Sequence, residues 1–374
     1  LKPVSKSQWR QEVDDSDSKL LFVESAWRGN GGEWNYALTK PEKHGRELKD
    51  LIAYCSSKGI PTLFWNKEDP ANFDTFIDVA AWFDFVFTTD AGSIDNYQRV
   101  IGKNNVFVLP FAAQPSMHNP IRQGEIIPRI AFTGSWRGMK YPARAQWIET
   151  LLDPLAEANM LDIYDRFAGT TDNPDLIFPQ SLQPSIKGAL PYRDLVEQVY
   201  KRYTAFANVN SVDTSETMLA RRVFEILACG APVISSPSPA MERIFGDIVL
   251  TPSSQKEALE TGHRLLNDLV FREDLASRGV RLVHSHHTYA HRMGEVCDRA
   301  GLPYVARKPK LVSAICVSHR PEFLEHIHAQ LARQNHGHIE LIFVQNSSAF
   351  SEEEIAERFS AFKLKILSIP EEQF

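Results

Sequence analysis

The stretch at 215–236, SETMLARRVFEILACGAPVISS, constrains the fold more than any other part of the chain. Leu219, Val223, Phe224, Ile226 and Leu227 recur at helical spacing, so one face of this segment is made for burial. Ser215 and Thr217 are capping residues at its start. Gly230 stands where a helix end wants positive φ, and Pro232 follows closely. Val233 and Ile234 then open a β-branched strand. Helix, glycine stop and apolar strand in succession make the building unit of an α/β protein. Arg221, Arg222 and Glu225 are the charged residues on this otherwise core-forming helix. With its N-terminal half turned to a cleft, the helix offers Arg222 to a phosphate and Glu225 to a sugar hydroxyl, a pairing suited to a nucleotide sugar. The plain alternative is an ordinary helix–turn–strand unit.

A chain of 374 residues has room for two or three domains. Its 43% hydrophobic and 24% charged residues describe a globular protein. A net charge of −6 gives no general attraction to nucleic acid or anionic lipid, although a local basic cleft can still hold phosphates. Four widely spaced cysteines without a CxxC pair point to a reducing compartment. No run approaches the roughly 18 apolar residues of a membrane span, and no leader opens the chain. These features predict a cytoplasmic protein, with a peripheral place at the inner membrane face as the variant reading.

Residues 1–17 are polar and acidic and read as a loose tail. Strands are expected at 19–24, 61–65, 84–88 and 106–109, with helices at 47–58, 73–81 and 97–101 between them. This alternation predicts a parallel sheet with helices on both faces over 18–125, and ligand-binding loops along one sheet edge. A second unit of the same kind is expected over 126–305. Its strands fall at 129–133, 161–164, 204–209, from 233 and at 248–250, and its closing helices at 256–268 and 274–284. Two Rossmann-like halves thus face a cleft. Residues 308–310 read as a linker, and 306–374 as a partial third βαβ segment, with strands at 311–317, 339–344 and 364–369.

Several blocks resemble glycosyltransferases of the two-domain GT-B fold, in particular the CgeB-like (spore maturation protein B-like) group. They are VESAWRGNGGEW at 23–34, GIPTLFWNKEDP at 59–70, FDFVFTTDA at 83–91, VLPFAAQP at 108–115, FTGSW at 132–136, IYDR at 163–166 and NVNSVDTSETMLARRVFEILACGAPVIS at 208–235. In GT-B enzymes a Glu followed by a small-Gly-x-Pro-Val run binds the donor ribose, and Glu225 with CGAPVI is similar to it. Many retaining members carry a further Glu eight positions earlier, where this chain has Thr217. The run VSAICVSHRPEFLEHIHAQLARQ followed by IELIFVQNSS resembles the opening of a family 2 glycosyltransferase domain of GT-A fold, with Gln345 where that family usually has Asp. Its later Asp-x-Asp metal motif is absent from this sequence, so the piece reads as truncated or vestigial.

The resemblance implies an enzyme that moves a sugar from a nucleotide-diphosphate donor to a saccharide or glycoconjugate acceptor, in surface polysaccharide or glycoconjugate assembly. It implies no metal or other cofactor for the GT-B part, no nucleic-acid partner, and association with other glycosyltransferases as a further option. Donor binding is expected in the second half, from Gly134, Arg137, Lys140, Arg166, Arg222 and Glu225, because fixed positive charge stabilises a leaving diphosphate. Solvated surface charge is the alternative for each cation. The loop Gly29, Asn30, Gly31, Gly32 lacks GxGxxG spacing and reads as an acceptor-side contact or a tight turn. Glu68, Asp69 and Asp90 follow strands and are the candidates for a general base, with Glu68 first; capping and ion pairing are the alternatives. His287 and His291 have a zinc-like spacing within HSHHTYAHR, but a helix returning toward the first domain is the favoured reading. Two other functions stay open: a sugar-nucleotide epimerase, and a non-catalytic binding or scaffold module.

Overall fold

The computed structural model describes residues 2–102, 104–138, 140–304, 310–345 and 350–369. The chain divides into two compact units, Leu1–Tyr304 and Val305–Phe374. Met139 and most of the expected linker at 308–310 lie outside the described residues.

The first unit opens with helix α1 (Trp9–Asp14). The segment expected as a loose tail is therefore ordered. Val4, Trp9 and Val13 join the first core, and the Val4 carbonyl accepts the Trp34 indole N–H at 2.8 Å. The polar composition of 1–17 hides three apolar anchors. Strands β1 (Leu21–Glu24), β2 (Thr62–Asn66), β3 (Phe85–Thr88) and β4 (Val106–Val108) then form a parallel sheet in sequential order. Their crossovers are α2 (Arg46–Ser57), α3 (Phe73–Ala80) and α4 (Ile94–Ile101). Right-handed crossovers between successive neighbours put every helix on one face. The two-residue period of the strands shows it: Leu21, Phe64, Val86 and Val106 pack with the helices, while Leu63, Trp65 and Phe87 point to the other side. The sheet's own crossover helices thus take one face only, and the helix on the other face comes from later in the chain. Its second face is covered by residues from later in the chain, including Tyr289 and Val296.

The second sheet is doubly wound. Strands β5 (Ile127–Thr133), β6 (Leu161–Tyr164), β7 (Ile186–Gly188), β8 (Tyr203–Asn208), β9 (Val233–Ser235) and β10 (Val249–Leu250) are all parallel, in the order β10-β9-β8-β5-β6-β7. The order reverses between β5 and β8, and the loops after these strands open a crevice at their carboxyl ends. Helix α5 (Pro142–Glu157) follows β5, and α6 (Arg222–Ala228) precedes β9. Helices α7 (Gln255–Asn267) and α8 (Leu269–His286) close the lobe.

Helix α9 (Tyr289–Arg299) returns to the first lobe. Arg292 donates to the carbonyls of Pro110 at 2.9 Å and Phe111 at 3.2 Å, and Arg299 lies over the Phe107 ring. One continuous core runs from Leu63, Trp65 and Phe87 to Phe206, Phe224 and Val233, so the two lobes share buried apolar surface. Among the described residues no helix is long and apolar enough to cross a membrane.

The second unit is a parallel three-stranded sheet of β11 (Val312–Val317), β12 (Ile339–Gln345) and β13 (Lys363–Ser368), linked by α10 (Leu324–Ala332) and α11 (Glu352–Arg358). Leu324, Leu341, Phe343, Ile355 and Phe359 form its own core.

Candidate functional site

Of the second-lobe residues singled out from the sequence, Gly134, Arg166 and Glu225 lie about Arg222 near the switch in strand order, Arg137 shares the Phe167 ring with Arg166, and Lys140 lies over Tyr141. Gly134 begins the loop after β5, and Asn208 ends β8. Arg222, first residue of α6, reaches across and donates from Nη1 to Asn208 Oδ1 at 3.1 Å. A Cβ on Gly134 would meet the Phe132 ring at 3.0 Å and Arg222 Nη2 at 3.4 Å, so only glycine lets the guanidinium lie against this backbone. Arg137 and Arg166 both lie over the Phe167 ring, at 5.4 and 5.0 Å from its centroid. Burial lowers the Arg222 pKa, and Arg221 and Arg166 lower it further while Tyr200 and Glu225 oppose them. Lys140 is exposed, with its ammonium over Tyr141 at 5.2 Å.

Glu225, one turn into α6, is 2% exposed. Its Oε1 accepts Tyr192 O–H at 2.5 Å and pairs with Arg221 Nε at 2.9 Å. Behind Tyr192 stands His118, with Nε2 at 3.0 Å from the phenol oxygen. The Gln114 N–H donates to His118 Nδ1 at 3.0 Å, which assigns the proton of a neutral ring to Nε2. Burial lowers the His118 pKa, the Glu225 carboxylate opposing it, so the imidazole is neutral. Donors therefore run His118 to Tyr192 to Glu225, and burial followed by the Glu225 charge raises the Tyr192 pKa. His118 and Tyr192 were missed in the sequence because they meet Glu225 only through the fold. Arg221 was visible as a charge but not as its partner.

A second residue without a sequence signal is Arg144, in the first turn of α5. It is 5% exposed, and its Nε and Nη1 are buried with no hydrogen-bond partner. Burial, then Arg222 and Arg137, pull its pKa down to about 10, leaving it cationic at neutral pH.

The first-lobe candidates separate. Asp69 is completely buried: Asn66 Nδ2 donates to Oδ1 at 2.7 Å, and Thr88 Oγ1 and Tyr97 O–H donate to Oδ2 at 2.7 and 2.9 Å. Such a carboxyl ties the ends of β2 and β3 to α4 and has no access to an acceptor, which argues against its reading as a base. Asp90 joins the lobes instead. Its Oδ1 accepts Ser215 O–H at 2.5 Å and its Oδ2 accepts Ser93 O–H at 2.8 Å. Beside it Thr217 accepts the Ala91 N–H at 2.8 Å and donates to the Thr89 carbonyl at 2.9 Å. Ser215 and Thr217 thus clasp the two lobes, and the helix they were expected to cap begins only at Arg222. Glu68 is half-buried and accepts from Asn72 at 3.1 Å, the most accessible of the three acids. A cavity of about 540 Å³ opens between the lobes, lined by Pro70, Asp90, Asn96, Thr214 and Glu216 among others.

The glycine loop is closed on itself. The Gly32 N–H donates to the Gly29 carbonyl at 2.9 Å, Gly31 and Gly32 have φ of 67° and 109°, and the Asn30 amide donates to Val4 at 2.6 Å. Asn30 thereby has its side-chain donor committed within the protein. The histidines of HSHHTYAHR hold local structure: His284 contacts the Ala228 carbonyl, His287 Nδ1 lies 2.9 Å from Arg292, and His291 completes a capping box with Thr288.

Residues 144–298, from the first turn of α5 to the end of α9, match a family described as glycosyl transferase-like. Similar solved structures include Anabaena HepE in complex with UDP-glucose, at 14% identity and TM-score 0.45, covering 68% of this chain and 76% of that one. A sucrose-phosphate synthase from Thermosynechococcus elongatus is similar at 12% identity and TM-score 0.48, covering 79% and 77%. An alpha,alpha-trehalose-phosphate synthase (UDP-forming) from Burkholderia vietnamiensis is similar at 10% identity and TM-score 0.45, covering 79% and 75%. No curated protein matches the sequence.

Proposed function

We propose that the protein is a CgeB-like GT-B glycosyltransferase that moves a sugar from a nucleotide-diphosphate donor to a hydroxyl of a saccharide or glycoconjugate acceptor, in surface polysaccharide assembly. The observation that carries this reading is the pairing, at one crevice, of the Arg137, Arg166 and Arg222 guanidiniums with a buried Glu225 whose one oxygen is already held by Tyr192 and Arg221. The cations, with Lys140, take the diphosphate, and the remaining carboxylate oxygen of Glu225 takes the ribose. As the bond from the anomeric carbon to the diphosphate oxygen breaks, negative charge grows on the leaving group and fixed guanidiniums stabilise it. Glu68 takes the proton of the acceptor hydroxyl. The Asp90–Ser215 and Thr217–Ala91 clasp holds the lobes together and limits water at the reacting carbon. Cationic side chains supply the charge a metal ion would bring, so turnover is expected to persist with a chelator present. The unit at 310–369 we read as the opening of a family 2 glycosyltransferase domain, in which Gln345 donates to Ser368 at 3.0 Å.

A thermal-shift screen against UDP-, GDP-, dTDP- and CDP-sugars tests the donor site. Ligand at 100 times its Kd adds about 2.7 kcal/mol of stability. Arg222→Ala and Glu225→Ala should each abolish the shift while leaving the protein folded. Full shifts in both would refute the assignment.

A further inference from the structure

Arg144 is the buried charge for which neither the fold nor the proposed donor contacts account. It is 5% exposed, two of its three guanidinium nitrogens have no partner, and it forms no ion pair among the described residues. The charges that act on it most are like charges, Arg222 and Arg137. A cation removed from water without a counter-charge is costly. It also lies at the third position of a sixteen-residue helix, whose free N-terminal N–H groups add positive potential. The loop that carries Gly134 and Arg137 runs directly into that helix, so all this charge borders one place.

We propose that Arg144 is a positioning cation of the anion site, left unsatisfied in the free protein, and that the site therefore recognises the bare pyrophosphate unit without help from base or sugar. The inference rests on the donor reading and deepens it. A diphosphate on the loop after β5 supplies the counter-charge that Arg144 lacks, and holds Arg144, Arg137 and Arg222 in one arrangement. Arg144 trades stability of the empty protein for grip on the ligand.

Inorganic pyrophosphate, titrated calorimetrically against the full chain, is the probe, with Arg144→Met and Arg144→Lys as variants. The wild type should bind it, and more weakly as salt rises. Arg144→Met should weaken binding at least tenfold, while its unfolding temperature without ligand equals or exceeds that of the wild type. Arg144→Lys, which keeps the charge but not the planar fork, should fall between the two. A merely structural arginine gives the opposite pair of results. Thus an Arg144→Met protein that fails to fold, melts earlier when empty, or binds pyrophosphate as well as the wild type overturns the proposal. So does a wild type that ignores pyrophosphate. A nucleotide-sugar shift that persists in Arg144→Met leaves the donor reading standing and removes this inference alone. Absence of any shift in the wild type removes the donor reading itself.

Discussion

Glu225 shows how little of a site one residue carries. Its oxygen Oε1 is held by both Tyr192 and Arg221, so residues far apart in the chain fix the carboxylate in place. Tyr192→Phe removes the 2.5 Å donor while Arg221 stays. The expected result is a rise of about tenfold in the donor KM, roughly 1.4 kcal/mol, with kcat little changed. Initial-rate kinetics over a range of donor concentrations would check it, and a loss confined to kcat would argue against a binding role for Glu225. Glu68→Gln should do the reverse, lowering kcat by about 10²–10⁴ with the donor thermal shift intact. Arg222 and Glu225 were visible in the sequence as candidates, because they share one helix and a recognisable neighbourhood of glycine and proline. His118, Tyr192 and Arg144 were not, because a hydrogen bond between positions 118 and 192, or a charge stranded beneath a loop, leaves no spacing in the sequence. Asp69 misled for a related reason. An acid after a strand looks the same in sequence whether it faces solvent or Thr88 and Tyr97.

At the scale of the element, hydrophobic periodicity located the helices and strands well. β6 falls at Leu161–Tyr164 as expected, and β3 and β9 within a residue or so, because buried strands and amphipathic helices are specified by their own residues. The difference lies at 215–221: Ser215 Oγ accepts the Thr217 and Met218 N–H groups as a cap would, but Ser215 and Thr217 also bond to the first lobe at Asp90, Thr89 and Ala91, and the helix starts only at Arg222. Partners more than a hundred positions away outweighed local propensity. The far end of the same helix behaved as its sequence demanded. Gly230 has a φ of 79°, and a Cβ there would lie 3.3 Å from Pro120 Cβ. Gly230→Ala combines left-handed strain with a tight contact in a packed region. It should lower stability by about 1–2 kcal/mol, read as a drop in the urea midpoint with unchanged slope. An unaltered midpoint would mean that the turn relaxes freely.

The whole molecule adds a constraint that neither lobe shows alone. Sequential order leaves one face of the first sheet without its own helices, and α9 with the second lobe covers it, so the lobes are joined by core as well as by the clasp. The four strands of the first sheet and their parallel pairing were legible, whereas β7 of the second sheet was not expected, and which face the crossovers took was hidden, since it depends on strand order. Buried titratable groups now oppose one another in the pH profile. Burial pushes Asp69 up to about 7, against the donors Thr88 and Tyr97 and with the help of Asp90 and Glu68. Between about pH 4 and 7 the folded state thus holds a proton that the unfolded state has released, and stability falls as pH rises through that window. His287 has the other sign. Burial, then Arg292, holds it down to about 4, so between about 4 and 6.5 the unfolded state binds the extra proton and stability rises with pH. His118, also lowered by burial, adds to that rise. The two slopes partly cancel in the wild type, and Asp69→Asn removes one of them. Between pH 5 and pH 7.5 the variant should therefore gain about 2–3 kcal/mol more than the wild type, from roughly 1.36 kcal/mol per unit over the part of the window spanned. Urea unfolding of both proteins at the two pH values measures this difference directly. Parallel profiles would show that Asp69 is ionised in the folded protein at pH 5, with its three donors outweighing burial.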